Sequence, residues 1–180
     1  MTIAGLKLIV PTSVAGSGVS VSASGKVTFT AATAVNVNGC FSATYDNYLC
    51  VTNVVGSTNN QNLWFRLRAS GTDASGSNYT RQYLAATSTS VFGARSTSQT
   101  TGFNGWLDGG RNGSHLYLYG PYLAQPTASR AVTSASEAGG SASIADDACT
   151  HSLSTSYDGI TLLPSSGTLT GTLTIYGLSQ

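Results

Sequence analysis

The chain has 180 residues, enough for one domain, and carries a formal net charge of +1 with only 8% charged residues; 26 Ser, 24 Thr and 21 Gly take the places that Lys, Glu and Arg usually fill. Hydrophobic residues at 41% exclude a disordered chain, which needs low hydrophobicity and high net charge. The near-neutral charge leaves no basic stripe to neutralise phosphates, so no nucleic-acid partner is expected, and a chain whose only Glu is Glu137 and whose only Lys are Lys7 and Lys26 has few residues for exposed helix.

In chain order, the first eleven residues lack a basic start and their apolar run stops at Pro11, which makes a poor export signal. No apolar run reaches the roughly 18 residues of a membrane span, so no membrane partner is expected. Residues 1–38 are rich in Val, Ser, Ala and Thr, with Phe29 as their sole aromatic. They read as an N-terminal arm or, more simply, as leading strands (Lys7 to Val10, Val19 to Val21, Val27 to Phe29) of a β-sandwich that occupies residues 39–180.

Within that sandwich, Tyr48 to Val55 reads as a strand, and then Leu63, Phe65, Leu67 and Ala69 alternate with Trp64, Arg66 and Arg68. Period two puts Trp64, Arg66 and Arg68 on the face away from the core, where a lone sandwich would leave them open; they are candidates for a subunit interface. Tyr79 to Ala85 follows as a strand, and Asn104-Gly105, Gly109-Gly110 and Asn112-Gly113 read as turns, like Asn38-Gly39, Gly139-Gly140 and Ser165-Ser166-Gly167 elsewhere. From His115 to Tyr122, Leu116 and Leu118 take one face and Tyr117, Tyr119 and Tyr122 the other. Those tyrosines are candidates for an interface or for stacking on a sugar, and equally for a second core layer. Arg130 to Thr133 is a further strand, a helical turn is tolerated only around Ala142 to Ala148, Gly159 to Leu163 is extended, and Leu169, Gly171, Leu173 and Ile175 interleave with threonines and Tyr176 in a half-buried strand. Many short strands between turn signals predict an all-β, antiparallel sandwich with few or no helices.

Catalytic chemistry finds little purchase. His115 and His151 are the only histidines; the run Asp146-Asp147-Ala148-Cys149-Thr150-His151 matches no metal-ligand spacing and reads as a solvated loop. Gly16-Ser17-Gly18 lacks the context of a nucleophile elbow, most Asp sit in turns, and no phosphate loop exists, so neither a cofactor nor an enzyme is expected. Cys40, Cys50 and Cys149 are an odd number and read as small buried hydrophobes, with a Cys40 to Cys50 bridge as the minor alternative.

Three blocks carry a resemblance: Phe41-Ser-Ala-Thr-Tyr-Asp-Asn-Tyr-Leu49, the stretch from Leu67-Arg-Ala-Ser-Gly-Thr-Asp to Asn78-Tyr-Thr80, and Tyr157-Asp-Gly-Ile-Thr-Leu-Leu-Pro onward to Tyr176-Gly177. In texture and order, over about Cys40 to Gln180, the chain resembles bacteriophage virion proteins with a jelly-roll-like domain, such as capsid decoration proteins, head fibres and tail-fibre components. That resemblance implies a non-enzymatic virion surface protein, made in the host bacterial cytoplasm, forming a homotrimer and binding the phage major capsid protein, or else a tail-fibre or tail-tip protein recognising host glycan. On the first reading Leu6, Leu8 and Ile9 anchor the capsid contact and Pro11 ends it.

Overall fold

Alternation of period two, with almost no competing helix formers, resolves into strands throughout the described residues. The computed structural model describes residues 5–107, 109–136 and 142–178. Numbered in chain order, its strands form two antiparallel sheets. The ten-stranded sheet runs β10 (Ser90–Gln99), β9 (Tyr79–Thr87), β14 (Ala142–His151), β13 (Thr127–Ser136), β12 (Asn112–Tyr119), β6 (Asn47–Gly56), β16 (Leu169–Leu178), β4 (Val27–Ala32) and β3 (Val19–Val21), with β1 (Leu6–Leu8) also paired to β16. The six-stranded sheet runs β11 (Gly102–Leu107), β7 (Gln61–Ala69), β15 (Gly159–Pro164), β5 (Val35–Asn38) and β2 (Ser13–Ala15), with β8 (Thr72–Asp73) paired to β7. The expected all-β, antiparallel two-sheet sandwich is the observed architecture. The first residues are hydrogen-bonded into both sheets, β1 and β3 into the large one and β2 into the small one, and the Ile9 N–H donates to the Ile175 carbonyl at 2.9 Å.

The main core lies between the sheets. Phe29, Cys50, Leu116, Leu118, Leu173 and Ile175 from the large sheet meet Val37, Leu63, Phe65, Leu67, Ile160 and Leu162 from the small one, all buried. Each such side chain contributes about 1.5–3 kcal/mol relative to exposure. Tyr79 crosses this core and uses its polar tip: its hydroxyl accepts from the Leu67 N–H and donates to the Ala74 carbonyl, both at 3.0 Å.

A second, smaller core lies on the other side of the small sheet. Phe103 and Trp106 are three apart and would face opposite ways on a regular strand. The register of β11 on β7 shifts between Phe103 and Gly105, so that Phe103 opposes Trp64 and Trp106 opposes Asn62 and both rings share one face. Gly105 takes φ +140° at this bulge, and an added Cβ there would collide with Thr133. The Asn104-Gly105 pair is therefore a bulge inside a strand and not the turn its sequence suggested. Ala85 of β9 and Ala145 of β14 bury Phe103, Tyr83 and Trp64 pack beside it, and Phe92 of β10 stacks on Trp106 with ring centres 6.0 Å apart. The end of the large sheet thus folds over the β11 edge. The Ala142 to Ala148 stretch lies wholly within β14; instead of a helical turn, its alternating Ala145 and Asp147 face inward and Ile144 and Asp146 outward. Glu137 and the Gly139-Gly140 pair lie outside the described residues.

Tyr79→Phe should lower the unfolding free energy by about 1–2 kcal/mol in urea denaturation, because it strands the Leu67 N–H and the Ala74 carbonyl in a dry core.

Candidate functional site

The outward face of the ten-stranded sheet has neither the small sheet nor a helix packed on it in the described residues, and cross-strand register shows what it displays. Directly opposite residues of antiparallel strands point to the same side. Leu8 opposes Tyr176, Tyr176 opposes Leu49, and Leu49 opposes Tyr117, which makes one row across β1, β16, β6 and β12. The adjacent row is Leu6, Leu178, Asn47 and Tyr119. Two groups far apart in sequence, Leu6 with Leu8 and Tyr117 with Tyr119, are thereby brought onto one face. Leu6, Leu8 and Tyr119 are exposed and Tyr117 is half-buried, while Leu49 between the two tyrosines is only 6% exposed. Ile9 and Pro11 do not join them: Ile9 packs against the main core and Pro11 is buried. Tyr122 also departs from the row, since β12 ends at Tyr119 and Tyr122 packs against the main core.

Across the same face, Arg130 grips Asp146 between β13 and β14, with Nε 2.9 Å from Oδ1 and Nη2 bonded to Oδ2. The hydrogen bonds from Arg130 hold the Asp146 carboxyl below its ordinary value, and the same bonds raise the Arg130 guanidinium. A second apolar group surrounds the Asp146 end of the pair: Val132 and Leu84 oppose Asp146 directly on either side, Ile144 and Val91 stand in the next row, and the four are 42%, 60%, 59% and 72% exposed. Isolated exposed hydrophobes are ordinary, but these occupy four successive strands, β13, β14, β9 and β10. Sequence reading missed them because small residues alternate with them, as in Ser143-Ile144-Ala145, so the hydrophobic contrast is weak and the face cannot be assigned without the register.

Trp64, Arg66 and Arg68 do not share one open face. Trp64 is half-buried in the second core. Arg66 is partly exposed and donates from Nε to the Thr100 carbonyl at 3.1 Å. Arg68 is 7% exposed because the turn between β7 and β8 folds over it. Its guanidinium donates to Asn38 Oδ1 (3.0 Å), Asn36 Oδ1 (3.1 Å) and Thr161 Oγ1 (2.8 Å), and also to Asp73 and the Gly71 carbonyl. A guanidinium is planar with five N–H donors, which is why one side chain can tie four strands together.

The segment Asp146 to His151 is a strand and not a solvated loop. Asp147, Cys149 and His151 face inward and are buried. His151 Nδ1 lies 3.2 Å from the Tyr157 hydroxyl, its ring is 4.4 Å from that of Tyr79, and burial lowers its pKa. The gap lined by Tyr79, Cys149 and His151 leaves no room for a water molecule, so it is a packing seam. His115 is exposed on the outward face, and no three His, Cys, Asp or Glu side chains converge as a metal-binding set among the described residues. Cys40, Cys50 and Cys149 are buried free thiols; burial pushes Cys50 and Cys149 up to about 12, and burial followed by the neighbouring Cys50 raises Cys40.

No protein family, no curated protein and no solved structure matches this chain. The arrangement of its own residues therefore carries the functional argument, and that arrangement is an open sheet face with two apolar groups joined by an ion pair, Arg130 opposing Tyr117 of one and Asp146 lying between Val132 and Leu84 of the other.

Replacing Arg68 by Met should cost about 3 kcal/mol in urea denaturation, because it leaves the Asp73 carboxylate and the Asn36 and Thr161 side chains without their shared donor. Arg68→Lys should recover only part of that loss, since an ammonium cannot span the same acceptors.

Proposed function

We propose that this chain is a non-enzymatic surface protein of a bacteriophage virion, one that decorates the head by binding the major capsid protein and that assembles as a homotrimer. The observation that carries the associative half of this reading is the outward face of the large sheet, where Leu6, Leu8, Tyr117 and Tyr119 in one group and Val132, Ile144, Leu84 and Val91 in the other are displayed without a covering layer among the described residues. Apolar area left on a folded surface favours association because burying it releases water at about 25 cal/mol per Å². The phage half rests on the resemblance of the Phe41, Leu67 and Tyr157 blocks. In this reading Leu6 and Leu8 lie against the capsid shell and the Val132 to Val91 group meets a neighbouring copy.

A tail-tip protein that binds host glycan is the second reading. It is favoured by Tyr119, whose ring is 41% exposed beside the half-buried Tyr117. An aromatic ring with a polar tip suits a sugar as well as a protein surface.

The test uses purified protein and undecorated heads. Wild-type protein should sediment as a trimer and cosediment with heads. Leu6→Asp with Leu8→Asp should stay folded yet lose head binding by at least tenfold, and Leu84→Asp with Ile144→Asp should sediment as monomer. Substitution is preferable to deleting the segment, because β1 covers the edge of β16 from Tyr176 to Leu178. Recovery of the protein only with tails, together with glycan binding lost in Tyr119→Ala, would replace the first reading by the second.

A further inference from the structure

The second core holds both tryptophans of the chain, Trp64 and Trp106, and borders a carboxylate that, among the described residues, is buried with both oxygens unpartnered. Asp147 belongs to the inward series of β14 (Ser143, Ala145, Asp147, Cys149, His151) and is 1% exposed. Neither of its carboxylate oxygens has a hydrogen-bond partner. Directly opposite stand Tyr83 on β9 and Ala131 on β13. The cation facing it is Arg81 on β9, diagonal in register because Arg81 itself opposes Cys149. That guanidinium is spent on aromatic rings, 5.1 Å from the centre of Phe103 and 5.8 Å from that of Tyr83, and its Nε is buried without a partner. The remaining neighbours supply no compensating charge. Cys149 is a thiol that burial keeps protonated, and His151 lies further along the strand with its basicity lowered by burial. Asp146 points to the other face and is held by Arg130. From β13 come Ser129 and Thr133, and from β11 Phe103 and Asn104, none of them ionisable.

A neutral carboxylic acid can be accommodated in such a place, whereas an ionised carboxylate with no donor on either oxygen is strongly disfavoured. We infer that Asp147 is a proton-operated latch on the second core: protonated, it lets the β9, β10 and β14 end of the large sheet lie closed over β11, and on losing that proton to solvent it drives the end open. Burial raises the Asp147 carboxyl to about 7, with Arg81 opposing the shift and Asp146 adding to it. The closed state therefore holds a proton that an opened carboxyl, with its ordinary value of 3.8, would have released. Its stabilising effect is complete below 3.8 and is lost as pH rises through about 7. Leu84, Ile144 and Val91 stand on the same three strands, so opening would also rearrange one end of the outward face. The inference stands on the surroundings of Asp147 and is independent of the virion reading.

Both tryptophans report on this region, so intrinsic fluorescence of the full chain reads the latch directly. Between pH 4 and pH 9 the wild-type emission should shift to the red and become more accessible to acrylamide, the change building as pH rises above 4 and levelling off above about 7, and amide exchange in β9 and β10 should rise beyond its intrinsic dependence on pH. Asp147→Asn, which mimics the protonated form, should stay closed across the range. Arg81→Met removes the charge that steadies the ionised carboxylate in the closed state and should make the opening at high pH more complete than in wild type. A flat wild-type titration overturns the proposal, as does an Asp147→Asn variant that titrates like wild type. Should the Asn variant fail to fold, an Arg81→Met variant that opens no further than wild type at pH 9 has the same force.

Discussion

The large sheet is wider than anything that can cover it. Neighbouring strands lie about 4.8 Å apart, so ten strands extend well past a six-stranded partner, and the surplus strands must find another surface or remain bare on both faces. Here β9, β10 and β14 fold over the β11 edge and use the far side of the small sheet. That single consequence of width creates the second core, half-buries Trp64, and carries Leu84, Ile144 and Val91 to an outer surface on which no further sheet or helix packs among the described residues. It also depends on one residue of extra length, because without the bulge at Gly105 Phe103 and Trp106 would point in opposite directions and the overhanging strands would lose one of these two rings to rest on.

Two buried charges show how differently this frame treats an ionic group. Arg68 projects from β7 where β5, β8 and β15 converge on it, and each of those three strands supplies it an acceptor. Asp147 sits where the overhanging strands present alanines, aromatics and an arginine already turned toward rings. The first group is a fastener whose charge is fully used. The second retains the cost of burial, and a group that retains such a cost can return it when its protonation changes. Position in the sandwich, more than residue type, decides which of these a charged side chain becomes.

How much of this was legible in the sequence follows the same division. Strands with bulky aliphatic alternation, β6, β7, β15 and β16, were readable because Leu63, Phe65 and Leu67 or Leu169, Leu173 and Ile175 contrast sharply with their neighbours. The strands β10 and β14 were not, since Ser, Ala, Thr and Gly fill half or more of each and a small residue looks alike on either face, and β11 was hidden by a turn signal in its middle. Asn104-Gly105 shows the limit of turn chemistry: the same pair that closes a hairpin also serves a bulge, where positive φ is needed inside a strand. The candidate residues divided likewise. Leu6, Leu8, Tyr117 and Tyr119 were visible one by one, but only the pairing through β16 and β6 places them in adjacent rows.

The hydroxyl-rich composition finds its reason on that outward face. Thr174 stands in the same cross-strand row as Val132, Thr172 and Ser134 stand in that of Ile144, and Arg130 with Asp146 consumes its own charge in an internal pair. A face of this kind cannot draw a partner from a distance, because steering needs unbalanced charge. It holds by contact area and by short hydroxyls that lose little side-chain freedom when ordered. Such contacts are also screened little by salt, since screening acts on separated charges. On the proposed virion reading, such a surface would meet its partner at close range and be indifferent to ionic strength, which suits an assembly in which many copies already stand side by side better than the capture of a dilute charged ligand.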